Sequence, residues 1–149
     1  MDNKFTEKEI NYMKEALKEA NKALCKDETP IGAIIVCNDK IIAKAHNLTE
    51  TLNDPTAHAE MQAITSATNY LGGKYLSQCT LYVTIEPCPM CAAALSWAQI
   101  ASVIYGAKDT KRGYSLFNPS LLHPKTTVKD GLLATECGEI VSNFFRNKR

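Results

Sequence analysis

The chain has 149 residues, the size of one domain (residues 1–149) with an ordinary core. Its 45% hydrophobic and 22% charged residues exclude intrinsic disorder, and a formal net charge of +1 advertises no strongly basic surface. The longest apolar run, Ile31-Gly-Ala-Ile-Ile-Val-Cys37, is far too short to cross a bilayer, and the opening MDNKFTEKEI lacks a signal peptide's apolar core. No membrane association and a cytoplasmic location are therefore expected.

The pattern along the chain alternates. Thr6 and Glu9 form a capping box, and Ile10, Met13, Leu17, Ala20 and Leu24 follow at spacings of three and four, predicting an amphipathic helix that ends before Pro30. Isoleucine-rich segments at 31–36 and 40–45 flank Asn38-Asp39 and read as a β-hairpin. A polar loop covers 46–56, a helix runs over 57–71, and Gly72-Gly73 stops it. The apolar run 81–85 is a buried strand leading straight into Glu86-Pro87-Cys88. A short helix over 89–99, a strand over 101–105, an irregular segment over 106–130 and a last helix over 134–147 complete the chain. Strands alternating with helices predict one α/β sheet with helices on both faces.

Charge is unevenly spread. Arg146, Lys148 and Arg149 close the chain with no acid among residues 141–149, and Lys108, Lys111 and Arg112 form a second basic group offset by Asp109. Either group reads as a solvated surface or, at the terminal helix, as cations complementing the helix dipole; the closing tail also reads as a place to meet phosphates.

Six cysteines in a reducing compartment do not imply a disulfide framework. Cys25, Cys37, Cys79 and Cys137 stand singly among apolar neighbours and read as small core residues. Cys88 and Cys91 differ, because they lie three apart at a predicted helix start, where both can face one point and where the helix end favours thiolates. With His58 they make one imidazole and two thiols, a donor set suited to Zn²⁺. A structural site wants four protein ligands, whereas three leave a fourth position for water, the catalytic arrangement. Glu60, two residues after His58, supplies a carboxylate for proton transfer, provided His58 sits in the first turn with the metal at the helix end.

Together, His58-Ala59-Glu60 and Pro87-Cys88-Pro89-Met90-Cys91 form the H-x-E…P-C-x-x-C signature, and the chain resembles the cytidine deaminase-like zinc deaminases that carry it. Within that group it is most similar to bacterial tRNA-specific adenosine deaminases. The likeness extends through Thr29-Pro30-Ile31-Gly32-Ala33, Ala45-His46-Asn47, Asp54-Pro55-Thr56-Ala57-His58, Val103-Ile-Tyr-Gly-Ala107 and Phe144-Phe145-Arg146. The resemblance implies a three-layer α/β/α domain with a mixed five-stranded sheet and one zinc on His58, Cys88 and Cys91, with water as fourth ligand. It further implies Glu60 as proton shuttle, Asn47 and the Ala59 amide facing the target base, and a homodimer sharing an RNA site. The implied reaction converts the wobble adenosine of a tRNA anticodon loop to inosine, with release of ammonia.

Other stretches depart from the tRNA-editing pattern. Gly113-Tyr114-Ser115-Leu116-Phe117-Asn118 and His123-Pro124-Lys125 replace its usual residues, and Ser96-Trp97-Ala98 resembles the related guanine deaminases. A free nucleobase or nucleoside, guanine first and then cytosine or adenine, is the alternative substrate. A zinc-dependent RNA-binding protein without turnover is a third reading, disfavoured because it has no use for Glu60. Tyr114 and Phe117 read either as base-stacking groups or as packing under a long loop, and His123 as a substrate contact or a surface turn residue.

Overall fold

The computed structural model describes residues 4–148. Helix α1 (Glu7–Cys25) begins at the Thr6 capping box, with Thr6 N donating to Glu9 Oε1 (2.9 Å) and Glu9 N to Thr6 Oγ1 (3.0 Å). Strands β1 (Gly32–Cys37) and β2 (Lys40–His46) form the expected hairpin. Its turn residues Asn38 and Asp39 both take positive φ, 52° and 59°, the conformation that a tight two-residue hairpin requires. Helix α2 (Ala59–Leu71) ends at Gly72, whose φ of 71° suits a left-handed cap. Strand β3 (Cys79–Ile85), helix α3 (Pro89–Trp97) and strand β4 (Ser102–Ala107) follow.

The segment 106–130, expected to be irregular, carries two short elements, α4 (Tyr114–Phe117) and β5 (Thr127–Asp130). Strand β5 pairs parallel to β4 with an exposed face, so no apolar alternation announces it, and its existence rests on backbone pairing with a distant strand. Helix α5 (Ala134–Asn147) closes the chain with the predicted bounds.

The sheet runs β2-β1-β3-β4-β5, antiparallel from β2 to β3 and parallel from β3 to β5. Alternation sorts its side chains into two cores. Ala33, Ile35, Leu81, Val83 and Val103 face α2 and α3, while Ile34, Val36, Tyr82 and Ile104 face α1 and α5. The result is the three-layer α/β/α arrangement with a mixed five-stranded sheet. Close approach at one point depends on glycine. A Cβ on Gly32 would overlap Ala16 O and Ala20 N of α1, so the missing side chain lets that helix lie on β1.

Of the four cysteines read as core, Cys79 and Cys137 are buried, Cys37 is half-buried and Cys25 is exposed at the end of α1. Cys25 ends α1 off the buried face formed by Met13, Ala16, Ala20 and Ala23.

Candidate active site and metal centre

Two helix N-termini meet beyond the carboxyl end of β3. Pro87 follows that strand, Cys88 is the N-cap of α3 in extended conformation (φ −73°, ψ 170°), and Pro89 occupies the first turn where its missing N–H costs nothing. His58 is likewise the N-cap of α2 (φ −71°, ψ 156°). Its extended backbone resolves the spacing problem in His-Ala-Glu: His58 stands outside the helix, so it and Glu60 need not share a helical face.

The three metal-ligand atoms converge. His58 Nδ1 lies 3.6 Å from Cys88 Sγ and 3.4 Å from Cys91 Sγ, and all three atoms fall within 4.8 Å of one another. Donors at about 2.3 Å (sulfur) and about 2.0–2.1 Å (nitrogen) from a tetrahedral ion stand roughly 3.5 Å apart, so this triad has the separations of a zinc site. The electrostatics agree. A hydrogen bond from Cys91, working against burial and aided by His58, lowers the Cys88 thiol to about 4, while Cys91, donating to Cys88, is pushed up. His58 is raised by its hydrogen bond with Cys88. One negative sulfur thus holds a proton and an imidazole around a point that a divalent cation can take over.

Glu60 is buried beside this triad, and burial raises its carboxyl to about 7, opposed by a hydrogen bond from its own backbone N–H. A carboxyl of that strength both takes and gives a proton at neutral pH. Asn47, also buried, follows the end of β2 and donates its N–H to Ile31 O (3.1 Å). Gln62 Nε2 staples this wall to α2 by donating to His46 O (2.8 Å) and Ala57 O (3.1 Å). Asn47, His58, Ala59, Glu60 and Cys88 all line one open cleft of about 1040 Å³. Cys91 sits beneath it, fully buried.

Residues 6–107 match the family model for the cytidine and deoxycytidylate deaminase zinc-binding region. The chain belongs to this family. It is a zinc-dependent deaminase, and His58, Cys88 and Cys91 form its candidate zinc site. A tRNA-specific adenosine deaminase of Bacillus subtilis (strain 168) is 48% identical over 143 residues, covering 93% of this chain and 89% of that one. A chain solved in a study of A-to-I editing by tRNA deaminases at the wobble position superposes with a TM-score of 0.81 at 43% identity, covering 87% of this chain and 98% of that one. A guanine deaminase from Bacillus subtilis superposes with a TM-score of 0.65 at 40% identity, covering 74% and 67%.

In this deaminase both basic groups singled out in the sequence reach the same cleft. Lys108, Lys111 and Arg112 line it from the segment after β4, and Arg146 and Lys148, with Phe145, from the end of α5. Arg149 lies outside the described residues. Lys148 pairs with Asp27 (2.6 Å) and Lys108 with Asp130 (3.7 Å). Among the described residues, Lys111, Arg112 and Arg146 have no carboxylate within 4.0 Å. Tyr114 is packed in the core against α3, whereas Phe117 is exposed. His123 accepts from Lys125 N (3.1 Å) as a turn residue, and none of these three lines the cleft.

Two buried carboxylates near the cleft escaped the motif reading. Glu28 accepts the backbone N–H groups of Glu50 (3.0 Å) and Thr51 in the loop that carries Thr49 on the cleft wall. Glu86 does the same for the segment after β4. A carboxylate at the end of an apolar strand was the available signal for Glu86, but its partners are far along the chain.

Proposed function

We propose that this deaminase hydrolyses the wobble adenosine of a tRNA anticodon loop to inosine and ammonia, working in the cytoplasm as a homodimer. The observation that carries the reading is the convergence of Lys108, Lys111, Arg112, Arg146 and Lys148 on the cleft that holds His58, Glu60 and Cys88. A free base carries no phosphate and gains nothing from such a rim, whereas an RNA backbone passing the mouth does. The relatives that act on tRNA adenosine point the same way, and an anticodon loop presents its base already unpaired, which reduces the cost of extrusion.

The residues divide the work by position. His58, Cys88 and Cys91 hold the zinc, which when bound supplies Lewis-acid activation of a water beside the base. Glu60 takes a proton from the attacking water and passes it to N1 of adenine. After attack at C6 it takes the proton of the new C6 hydroxyl and gives it to the departing amine, so water and adenosine become inosine and ammonia. The Asn47 side chain and the Ala59 N–H, a first-turn donor of α2 with no partner among the described residues, orient the base. Contacting helices α3 and α4 carry the exposed apolar side chains Trp97, Leu116 and Phe117, which a second copy would cover.

The test is product mass and ammonia release from zinc-loaded protein. An anticodon stem-loop with adenosine at the wobble position is compared with free guanine, cytosine, adenine and their nucleosides. Inosine in the RNA alone is expected. Turnover of a free base with silent RNA overturns the substrate while leaving the proposed chemistry of Glu60 in place.

A further inference from the structure

Glu86 is 4% exposed and lines the cleft, yet its carboxylate hydrogen-bonds Asp109 and Ser115 and not His58, Glu60, Cys88 or Cys91. Both its oxygens are used on one segment. Oε1 accepts the N–H of Asp109 (3.2 Å), and Oε2 accepts the N–H (3.1 Å) and hydroxyl (2.6 Å) of Ser115. The neighbouring backbone adds Tyr114 N donating to Pro87 O (2.9 Å) and Glu86 N donating to Ala107 O (2.9 Å). Asp109 in turn accepts the N–H groups of Lys111 (3.0 Å) and Arg112 (2.9 Å) on its Oδ1, and Gly113 N donates to Asp109 O (3.0 Å). An unbroken chain of hydrogen bonds therefore runs from the residue two before Cys88 to the backbone of two cleft-lining cations.

Space enforces the same contact. A Cβ on Gly113 would fall within 2.6 Å of Glu86 Oε2, although its φ of −61° is open to any residue. Glycine is needed there for proximity to the carboxylate and not for backbone freedom.

We propose that Glu86 is a positioning residue for the RNA substrate: its buried carboxylate straps the segment 108–115 to the zinc-ligand turn and so fixes Lys111 and Arg112 at a set distance from the reacting base. The role rests on the RNA reading above. Catalytic groups stay where they are without it, because His58, Glu60 and Cys91 are held by other elements. What is lost is the pre-ordered cationic wall, which the RNA must then order at its own cost.

Glu86→Gln tests this with little change of shape. All three groups facing the carboxylate are donors, so either orientation of the amide sets its NH₂ against a backbone N–H. Gly113→Ala attacks the same contact from the other side and leaves the residues flanking the zinc ligands in sequence unsubstituted. Both full-length, zinc-loaded variants are measured for zinc content, amide hydrogen exchange and steady-state deamination of the stem-loop. In both, exchange at 109–115 should quicken about tenfold or more, and KM should rise about tenfold with kcat within threefold and one zinc retained. Unchanged exchange at 109–115, or a fall in kcat with zinc loss in Glu86→Gln while Gly113→Ala is silent, overturns the strap. Should the parent chain leave the stem-loop unmodified, the substrate reading fails with it, and the exchange data still separately decide whether the carboxylate holds the segment.

Discussion

His58 Nδ1 stands 3.4 Å from Cys91 Sγ although they lie 33 positions apart, and the two side chains reach each other from the N-cap of one helix and the first turn of another. A metal at that point ties α2 to α3 and through them ties β2 to β3. Cys88→Ala should therefore bind well under one zinc per chain. Chelation should lower the melting temperature of the parent by about 10 °C, for an ion present a thousandfold above its Kd, and leave the variant unmoved. Metal analysis and thermal denaturation check both halves, and a full zinc complement in the variant refutes the ligand set.

Glu60→Gln separates proton transfer from metal binding. The amide keeps the shape of a side chain already buried, so zinc content should stay near one per chain. Deamination should fall by roughly 10²–10⁴, the range for removing a general acid–base group. Undiminished turnover by product mass would remove Glu60 from the mechanism.

The parts of this molecule legible in its sequence are those whose cause is local. The Thr6–Glu9 box, the Asn38-Asp39 turn and the stop at Gly72 each depend on residues a few positions apart, and each stands where the pattern put it, whereas His58, expected inside the first turn of a helix over 57–71, is that helix's N-cap. Strand β5 and helix α4 were invisible because four-residue elements with exposed faces are stabilised by partners elsewhere, β4 for one and Pro87 and α3 for the other. The buried carboxylates behave likewise. Nothing near Glu28 in sequence indicates that the N–H groups of Glu50 and Thr51 will close over it, and nothing near Glu86 announces Ser115. The shared cleft of the two basic groups is the same kind of fact, since the segment after β4 and the end of α5 meet only in the folded chain.

Glu28 contributes to the acid limb of the stability profile, alongside the lowered carboxyls of Glu9, Glu15, Glu19 and Asp54. Burial alone would raise its carboxyl, but hydrogen bonds from Thr51, Glu50 and Thr49 outweigh burial and hold it below its ordinary value of 4.5. A carboxyl depressed in the folded state stabilises the fold fully above the unfolded value and loses that contribution as pH falls through the folded value. Melting temperature should thus be flat with respect to this group above about pH 5 and drop below about pH 4.5. Glu28→Gln should lower the plateau and flatten the drop, both visible in thermal scans from pH 3 to pH 7. A parallel downward shift at every pH would show that the charge of Glu28 is not what the loop amides stabilise.

The contact of α1 with β1 at Gly32 should be intolerant of a single methyl group. Gly32→Ala forces the helix backbone away from the strand, since the overlapped atoms are Ala16 O and Ala20 N and not a flexible side chain. Destabilisation of about 1–3 kcal/mol, the usual cost of overpacking, is expected in denaturant titration. The change lies on the far side of the sheet from α2 and α3, so zinc content should not alter. An unaffected midpoint would mean that α1 slides without loss.

The cationic rim makes the last prediction, and it distinguishes phosphate contact from structural charge. Lys111 and Arg112 have no carboxylate partner among the described residues, so removing them breaks no ion pair of the fold. Each phosphate contact to single-stranded RNA contributes about 0.7 to the slope of log K against log salt. Lys111→Ala with Arg112→Ala should weaken stem-loop binding and reduce that slope by about 1–2, with melting temperature unchanged. Binding weakened at every salt concentration by the same factor would instead mean that the two side chains shape the cleft without touching phosphate. An unchanged affinity would place the RNA backbone on the Arg146 side of the mouth alone, because Arg146 and Lys148 approach from α5 and are independent of the segment after β4.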